Sequence, residues 1–207
     1  MVRGDALPAE YFDRLYAGRP DPWDFTGRWY ERRKRELTIA SLPRQRYRRG
    51  FEPGCSIGVL TEALAERCDE LLATDVTEPA LAAARSRLAG LDHVRVERCR
   101  VPEEWPEGEL DLVVISEIAY YCDESGASAL GRAAARSLAP DGAVVLCHWL
   151  HPVTDYPLSG RQAQRLVREA TGLPTAVRHE EEDFLLEVLT GPGTRSVAAE
   201  EGLVDDS

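Results

Sequence analysis

The segment Glu52-Pro53-Gly54-Cys55-Ser56-Ile57-Gly58, with Asp75 seventeen positions after its last glycine, constrains the fold of this chain more than any other stretch. It reads as a strand end, a tight glycine loop, a helix, a second strand, and a carboxylate at that strand's tip. In a doubly wound α/β sheet, the first βα loop lets a ligand approach the backbone closely. The acid that ends the second strand takes the two ribose hydroxyls of a nucleoside. The pattern is half of a binding site for an adenosine-type cofactor.

The rest of the chain supports an alternating α/β reading. Strands are expected at about 49–53, 70–75, 94–98, 110–116 and 143–149, with helices at 58–67, 77–89, 125–138 and 160–171 between and after them. Leu110 to Ser116 is a near-continuous apolar run, as in a strand buried on both faces. Pro140-Asp141-Gly142 reads as a turn. Two further strands, about 174–179 and 183–190, could form an antiparallel hairpin edge. Ahead of the sheet come a short helix at 9–17, a proline-stiffened loop at 19–24, and a helix from about Gly27 to Leu42 that Pro43 ends. That helix shows no clean apolar stripe, but Trp29, Tyr30, Leu37 and Ile39 with Leu42 suggest one face packed on the sheet, with Arg and Lys elsewhere. The expected division is a helical lid segment at 1–45, a Rossmann-like core at 46–190, and a Gly-, Glu- and Asp-rich mobile tail at 191–207.

Composition narrows the partners. Acidic residues outnumber Lys plus Arg by 36 to 25, for a formal charge of −11. Phosphate backbones need a positive face, so nucleic acid is not the expected partner. No apolar run is long enough to span a bilayer, and the N-terminus has no signal-peptide pattern. No membrane association and a cytoplasmic location are therefore expected, for a monomer or homodimer. The five cysteines (Cys55, Cys68, Cys99, Cys122, Cys147) make no Cys-x-x-Cys pair. They read as reduced structural thiols, and no metal site is expected.

The loop spacing points to one cofactor. A dinucleotide loop reads Gly-x-Gly-x-x-Gly, to bring a helix N-terminus to a pyrophosphate. Here an acid, Glu52, precedes Gly54-x-Ser56-x-Gly58. S-adenosylmethionine (SAM) enzymes commonly use acid-x-Gly-x-Gly-x-Gly, and only the middle glycine departs, as Ser56. The expected cofactor-binding set is Trp29, Tyr30, Arg33, Glu52, Gly54, Cys55, Ser56, Gly58, Asp75, Val76, Arg100, Val101 and Glu117. Arg33 is chosen to pair with the cofactor carboxylate, because a guanidinium fork fits one well. After strand three, many SAM enzymes place an Asp that accepts from the adenine amino group. This chain has Cys99-Arg100-Val101-Pro102, and arginine has no acceptor. The adenine contact must then come from backbone near Arg100 and Val101, from Glu97 or Glu103, or from water.

Strand carboxyl ends are where open α/β sheets place ligands. Strand four ends in Ser116-Glu117-Ile118-Ala119-Tyr120-Tyr121, and strand five in His148-Trp149-Leu150-His151-Pro152. Histidine titrates near neutrality and suits proton removal. Glu117, His148 and His151 are the candidate bases, and Tyr120 or Tyr121 would orient an acceptor. The charged run His179-Glu180-Glu181-Glu182-Asp183 is by default a solvated turn.

Several motifs together resemble one family. They are Asp21-Pro22-Trp23, Trp29-Tyr30-Glu31-x-Arg33-Lys34, the glycine loop with Asp75, and Ser116-Glu117-x-x-Tyr120-Tyr121. From about residue 10 to 190 the chain resembles the nodulation-protein S (NodS)-like methyltransferases. The resemblance implies a class I SAM-dependent methyltransferase fold: a mainly parallel seven-stranded sheet with the last strand antiparallel. Founding members N-methylate the amino sugar of a chitooligosaccharide. The function expected here is methyl transfer to a nitrogen of a small-molecule acceptor, with S-adenosylhomocysteine as product. The alternatives are a small-molecule O-methyltransferase, or a silent domain that binds SAM or a partner without turnover.

Overall fold

A computed structural model describes residues 5–204. Residues 1–4 and 205–207, the outer ends of the expected lid segment and tail, lie outside the described residues.

The middle of the sheet is built by two apolar strands. β4 (Leu110–Ser116) and the second half of β5 (Leu138–Trp149) alternate their side chains between two faces, as the pleat requires. Val113, Ile115, Val144 and Leu146 join one core cluster, with Leu130 of α5 (Glu124–Ser137) and Val167 of α6 (Gly160–Thr171). Leu112, Val114, Val145 and Cys147 join the other. That second cluster takes Leu64 from α3 (Val59–Ala65) and Tyr30 and Leu37 from α2 (Trp29–Ala40). Helices on both faces keep the two central strands out of water.

β1 (Tyr47–Pro53), β2 (Cys68–Asp75) and β3 (Val94–Arg98) extend the sheet on one side. β6 (Thr175–Glu180) and β7 (Phe184–Thr190) extend it on the other, and the order is β3-β2-β1-β4-β5-β7-β6. β7 runs antiparallel to both β5 and β6; the other pairings are parallel. The seven-stranded, doubly wound sheet with an antiparallel last strand is as expected. The chain builds outward from β1 to β3, then returns beside β1 with β4. That reversal leaves a crevice at the carboxyl ends of β1 and β4, where such sheets bind ligands. α4 (Glu78–Arg87) covers β2 and β3, and α1 (Ala9–Gly18) sets Tyr16 against Ile57 and Ala80.

Three local differences from the sequence reading have physical causes. β5 begins at Leu138 rather than after the turn. Leu110 pairs with Leu138 and Leu112 with Ala143, so Pro140-Asp141-Gly142 bulges out of a continuing strand. The segment after Gly191, expected as a tail with little regular structure, makes contacts with the bulge of β5 and holds a short helix. The amides of Gly191 and Gly193 donate to the Gly142 and Pro140 carbonyls, and a short helix α7 (Val197–Glu200) buries Ala199. A 3-10 turn, Ala119–Tyr121, follows β4 where no element is expected. All five cysteines are free, and no helix among the described residues is long and apolar enough to cross a membrane.

α5 and α6 meet through Gly131. A Cβ there would sit 2.4 Å from the Val167 carbonyl oxygen, inside backbone rather than a movable side chain. Gly131→Ala is expected to destabilise the fold by about 1–3 kcal/mol, read as a lower urea midpoint. An unchanged midpoint would show that the two helices are free to separate.

Candidate active site

The glycine loop is shaped by contacts on both sides. Gly54 has φ of +73°, and a Cβ on it would lie 2.2 Å from Ile118 Cγ2. The loop after β1 therefore rests directly on the loop after β4, which only glycine permits. Ser56 also sits at positive φ (+51°), and its amide donates to Asp75 Oδ2 at 2.9 Å. Asp75 Oδ1 accepts from the amides of Val76 at 2.8 Å and Thr77 at 3.1 Å. Burial pushes the Asp75 carboxyl up, opposed by these amides. One carboxylate thus clamps the loop after β1 to the end of β2. Its Oδ2 takes a single amide and keeps an acceptor position. The Tyr16 hydroxyl bonds to Ser56 Oγ and braces the loop from α1.

Glu52 lies beneath this clamp. It is 3% exposed and accepts from the Thr61 hydroxyl at 2.5 Å. Burial, helped by the Asp75 charge and opposed by the Thr61 bond, lifts its carboxyl to about 8. Burial likewise pushes up the Cys55 thiol, which is inert packing in this state.

A cavity of about 590 Å³ opens above the strand ends. That size lies within the ~300–1,000 Å³ typical of small-molecule sites. Gly54, Cys55, Ser56, Glu52, Asp75, Val76, Arg100, Val101, Glu117, Tyr120, Tyr121 and Tyr30 all line it. Gly58 is set back, as the left-handed N-cap of α3 packed near Ala84. Of the acids offered for the adenine end, Glu103 is on the lining, and Glu97 is not. The Arg100 amide is taken by Glu104 Oε2 at 2.7 Å.

The Glu117 carboxylate, on the cavity wall, accepts three hydrogen bonds. Its backbone has φ of +59°, which points the carboxylate back under the lid. Oε1 accepts from Lys34 Nζ at 2.5 Å; Oε2 accepts from the Tyr120 hydroxyl at 2.5 Å and the Trp149 amide at 2.9 Å. Burial pushes its carboxyl up, but the Lys34 charge, the nearby His148 and the bonds from Lys34 and Tyr120 outweigh that and hold it below the ordinary value. Glu117 is an ionised anchor and a poor base.

Neither histidine is placed as a base. His148 is fully buried and absent from the cavity wall. Its Nε2 accepts from the Ala119 amide at 3.2 Å, and Nδ1 lies 2.5 Å from Gln164 Oε1. Both ring nitrogens are used, so the ring is neutral with hydrogen on Nδ1. Burial lowers its pKa, against the pull of Glu117. His151 is exposed on the far side of Trp149 and pairs with Asp183 at 2.7 Å. It does not line the cavity.

The lid helix is read one residue away from its working face. Arg33 forms a two-pronged ion pair with Glu181 at 2.7 and 2.6 Å and stays outside the cavity. Trp29 is 66% exposed and lines nothing there. Glu31, Lys34 and Arg35 are the charged residues α2 presents to the cavity, with Arg28 just before it. Arg35 forms no ion pair among the described residues. The sequence carried a signal for this. Tyr30, Lys34 and Thr38 recur every four residues on one helical face. The inner side of α2 carries both kinds of residue: Tyr30, Leu37 and Ile39 pack on the sheet cluster with Leu42, as expected, while Lys34 at 7% and Thr38 at 1% exposure are buried beside them and Trp29 is not.

The family model for Nodulation protein S (NodS) matches residues 12–149. The chain belongs to the NodS family. Nodulation protein S of Rhizobium tropici is 31% identical over 128 residues, 60% of this chain and 53% of that protein. That of Sinorhizobium fredii is 30% identical over 52% of this chain and 50% of its own length. The chain thus spans about half the length of the curated NodS relatives it matches. Among solved structures, a candidate methyltransferase from Pseudomonas syringae is 44% identical, with a TM-score of 0.70, over 79% of this chain and 99% of that one. The N-methyltransferase NodS of Bradyrhizobium japonicum WM9, in complex with S-adenosyl-L-homocysteine, has a TM-score of 0.75 at 23% identity. It covers 89% of this chain and 98% of that one, and shares the fold.

Glu52 makes a signed pH prediction. Its folded value of about 8 lies above its ordinary 4.5, so the fold holds a proton that the unfolded chain has lost. That contribution is full below the ordinary value and is lost as pH rises toward about 8. Between roughly pH 5.5 and 7.5, the wild type is expected to lose stability relative to Glu52→Gln, by up to about 1.4 kcal/mol per pH unit. Urea denaturation at stepped pH measures this. Parallel curves for the two proteins would mean that Glu52 is ionised in the fold.

Proposed function

We propose that this chain is a SAM-dependent methyltransferase acting on a nitrogen of a small-molecule acceptor. The observation that carries the reading is the Asp75 clamp. A carboxylate closing β2, tied by an amide to the glycine loop after β1, forms one wall of a cavity at the point where the sheet reverses. The residues fit the cofactor: Asp75 Oδ2 retains an acceptor position for a ribose hydroxyl. Val76 and Val101 offer apolar flanks for adenine, with Glu103 on the same lining. Arg35, rather than Arg33, is the guanidinium open to the cofactor carboxylate.

SAM supplies a methyl group already activated on a sulfonium. The protein's tasks are then to align the acceptor and to exclude water. Tyr120, held by Glu117 and stacked on Tyr156 at 4.9 Å, is a rigid wall for that alignment. The Tyr121 hydroxyl lies 3.4 Å from that of Tyr156, and its ring meets Phe12 edge-on. The arrangement favours nitrogen over oxygen as acceptor. A hydroxyl needs a strong base, and His148 has no free nitrogen while His151 lies outside the cavity. An amine needs only to be held neutral at the moment of reaction.

Calorimetric titration with SAM and S-adenosylhomocysteine tests the reading. Micromolar binding of both is expected. Asp75→Ala is expected to weaken it by about 10- to 100-fold, the loss of a charge-assisted bond worth ~1.5–3 kcal/mol. No binding of either compound by the wild type would overturn the assignment.

A further inference from the structure

We propose that Gln164, outside the cavity, is a positioning residue for the methyl-transfer site: it keeps the hydrogen of the His148 ring on Nδ1 and so holds the turn that carries Tyr120 and Tyr121; this rests on the cofactor reading above.

Gln164 is a polar residue in an apolar place. It lies on α6 between Ala163 and Val167, is 1% exposed, and does not line the cavity. Ala163 and Val167 belong to one core cluster with Val144 and Leu146. A side chain at such a helical position is ordinarily apolar, and a buried amide is costly unless every group on it is bonded.

The partners of Gln164 leave its amide one orientation. The Nε2 group donates to Glu187 Oε2 at 3.0 Å and to the Leu146 carbonyl at 3.3 Å. Both of those oxygens only accept, and Glu187 is ion-paired with Arg168 and Arg178. The carbonyl end of Gln164 must then face His148, with Oε1 2.5 Å from Nδ1. An amide oxygen has no hydrogen to give, so the ring carries its hydrogen on Nδ1 and keeps a lone pair on Nε2. That lone pair accepts from the Ala119 amide at 3.2 Å. With the amide reversed, the hydrogen would move to Nε2 and meet the Ala119 amide donor to donor.

Ala119 is where the consequence reaches the site. It opens the 3-10 turn Ala119–Tyr121, and the Tyr120 ring meets the His148 ring edge-on at 5.4 Å. Ile118, the residue before it, rests on Gly54 of the glycine loop. Ile118, Tyr120 and Tyr121 all line the cavity. Gln164 thus sets the place of cavity residues on two loops without touching the cavity itself, and its fully bonded chain selects one geometry.

The test combines nitrogen NMR of the histidine rings in the full chain with calorimetric titration by S-adenosylhomocysteine. In the wild type His148 is expected to carry hydrogen on Nδ1 alone. Hydrogen on Nε2, or exchange between the two nitrogens, overturns the inference, and this is read without any variant. Gln164→Met keeps the length of the side chain and removes its hydrogen bonds. It is expected to mix the two ring forms of His148 and to weaken S-adenosylhomocysteine binding by about 5- to 30-fold. An unchanged ring, or a changed ring with unchanged affinity, overturns the inference and leaves the cofactor assignment standing. Leu189→Ala, a core truncation that removes none of these bonds, is the control: it is expected to lower the urea midpoint and keep the affinity. An equal loss of affinity there would mean that Gln164 acts through stability alone, which also overturns the inference. Failure of the wild type to bind S-adenosylhomocysteine removes both readings together.

Discussion

The buried contact between Lys34 and Glu117 is the interaction on which the cavity depends. It joins the lid helix to the tip of β4, elements 83 residues apart in sequence. Each partner is costly to bury alone, and losing one would leave an unmatched charge in the wall. The pair is tolerable because Glu117 has further donors: the Tyr120 hydroxyl and the Trp149 amide. Those donors come from the loop after β4 and from the end of β5. One carboxylate therefore fixes three elements around the same space. The left-handed backbone at Glu117 is the local strain that this arrangement supports.

Behind Glu117 a second buried chain holds the same loop from the opposite side. Ala119 donates to His148, which meets Gln164, whose amide donates to Glu187. Glu187 is closed by Arg168 and Arg178 near the surface. The polar groups of the network are matched, so it costs little and sets one geometry. Ile118, between the two anchored residues, is the side chain that rests on Gly54. The position of the glycine loop thus follows from hydrogen bonds made on β5 and α6, and not only from its own sequence.

The Asp75 clamp works on the other half in the same way. Three backbone amides converge on one carboxylate, so the loop after β1 is preformed before any ligand arrives. Preorganisation of this kind spares ligand binding the entropy of ordering a loop. Ser56 takes the place of a glycine without breaking the turn, because its amide and hydroxyl are both bonded there. The departure at the middle of the motif is absorbed by contacts from Asp75 and Tyr16.

Much of the fold was legible in the sequence. Apolar alternation marked β4 and β5, and the loop spacing placed Asp75 at the end of β2, because period and punctuation are local properties of the chain. The same is true of Gly54, Ser56 and the two tyrosines after β4. The site's charges were not legible. Arg33 and Lys34 are adjacent and alike in composition. Only the packing of α2 turns one out to Glu181 and the other in to Glu117. His148 and His151 flank the end of β5 at equal promise, yet the sheet buries one beneath Tyr120 and leaves the other beside Asp183. Sequence determined which side chains were present and at what local period. Tertiary structure decided which of them share a cavity, because burial and pairing of charge depend on partners far away along the chain.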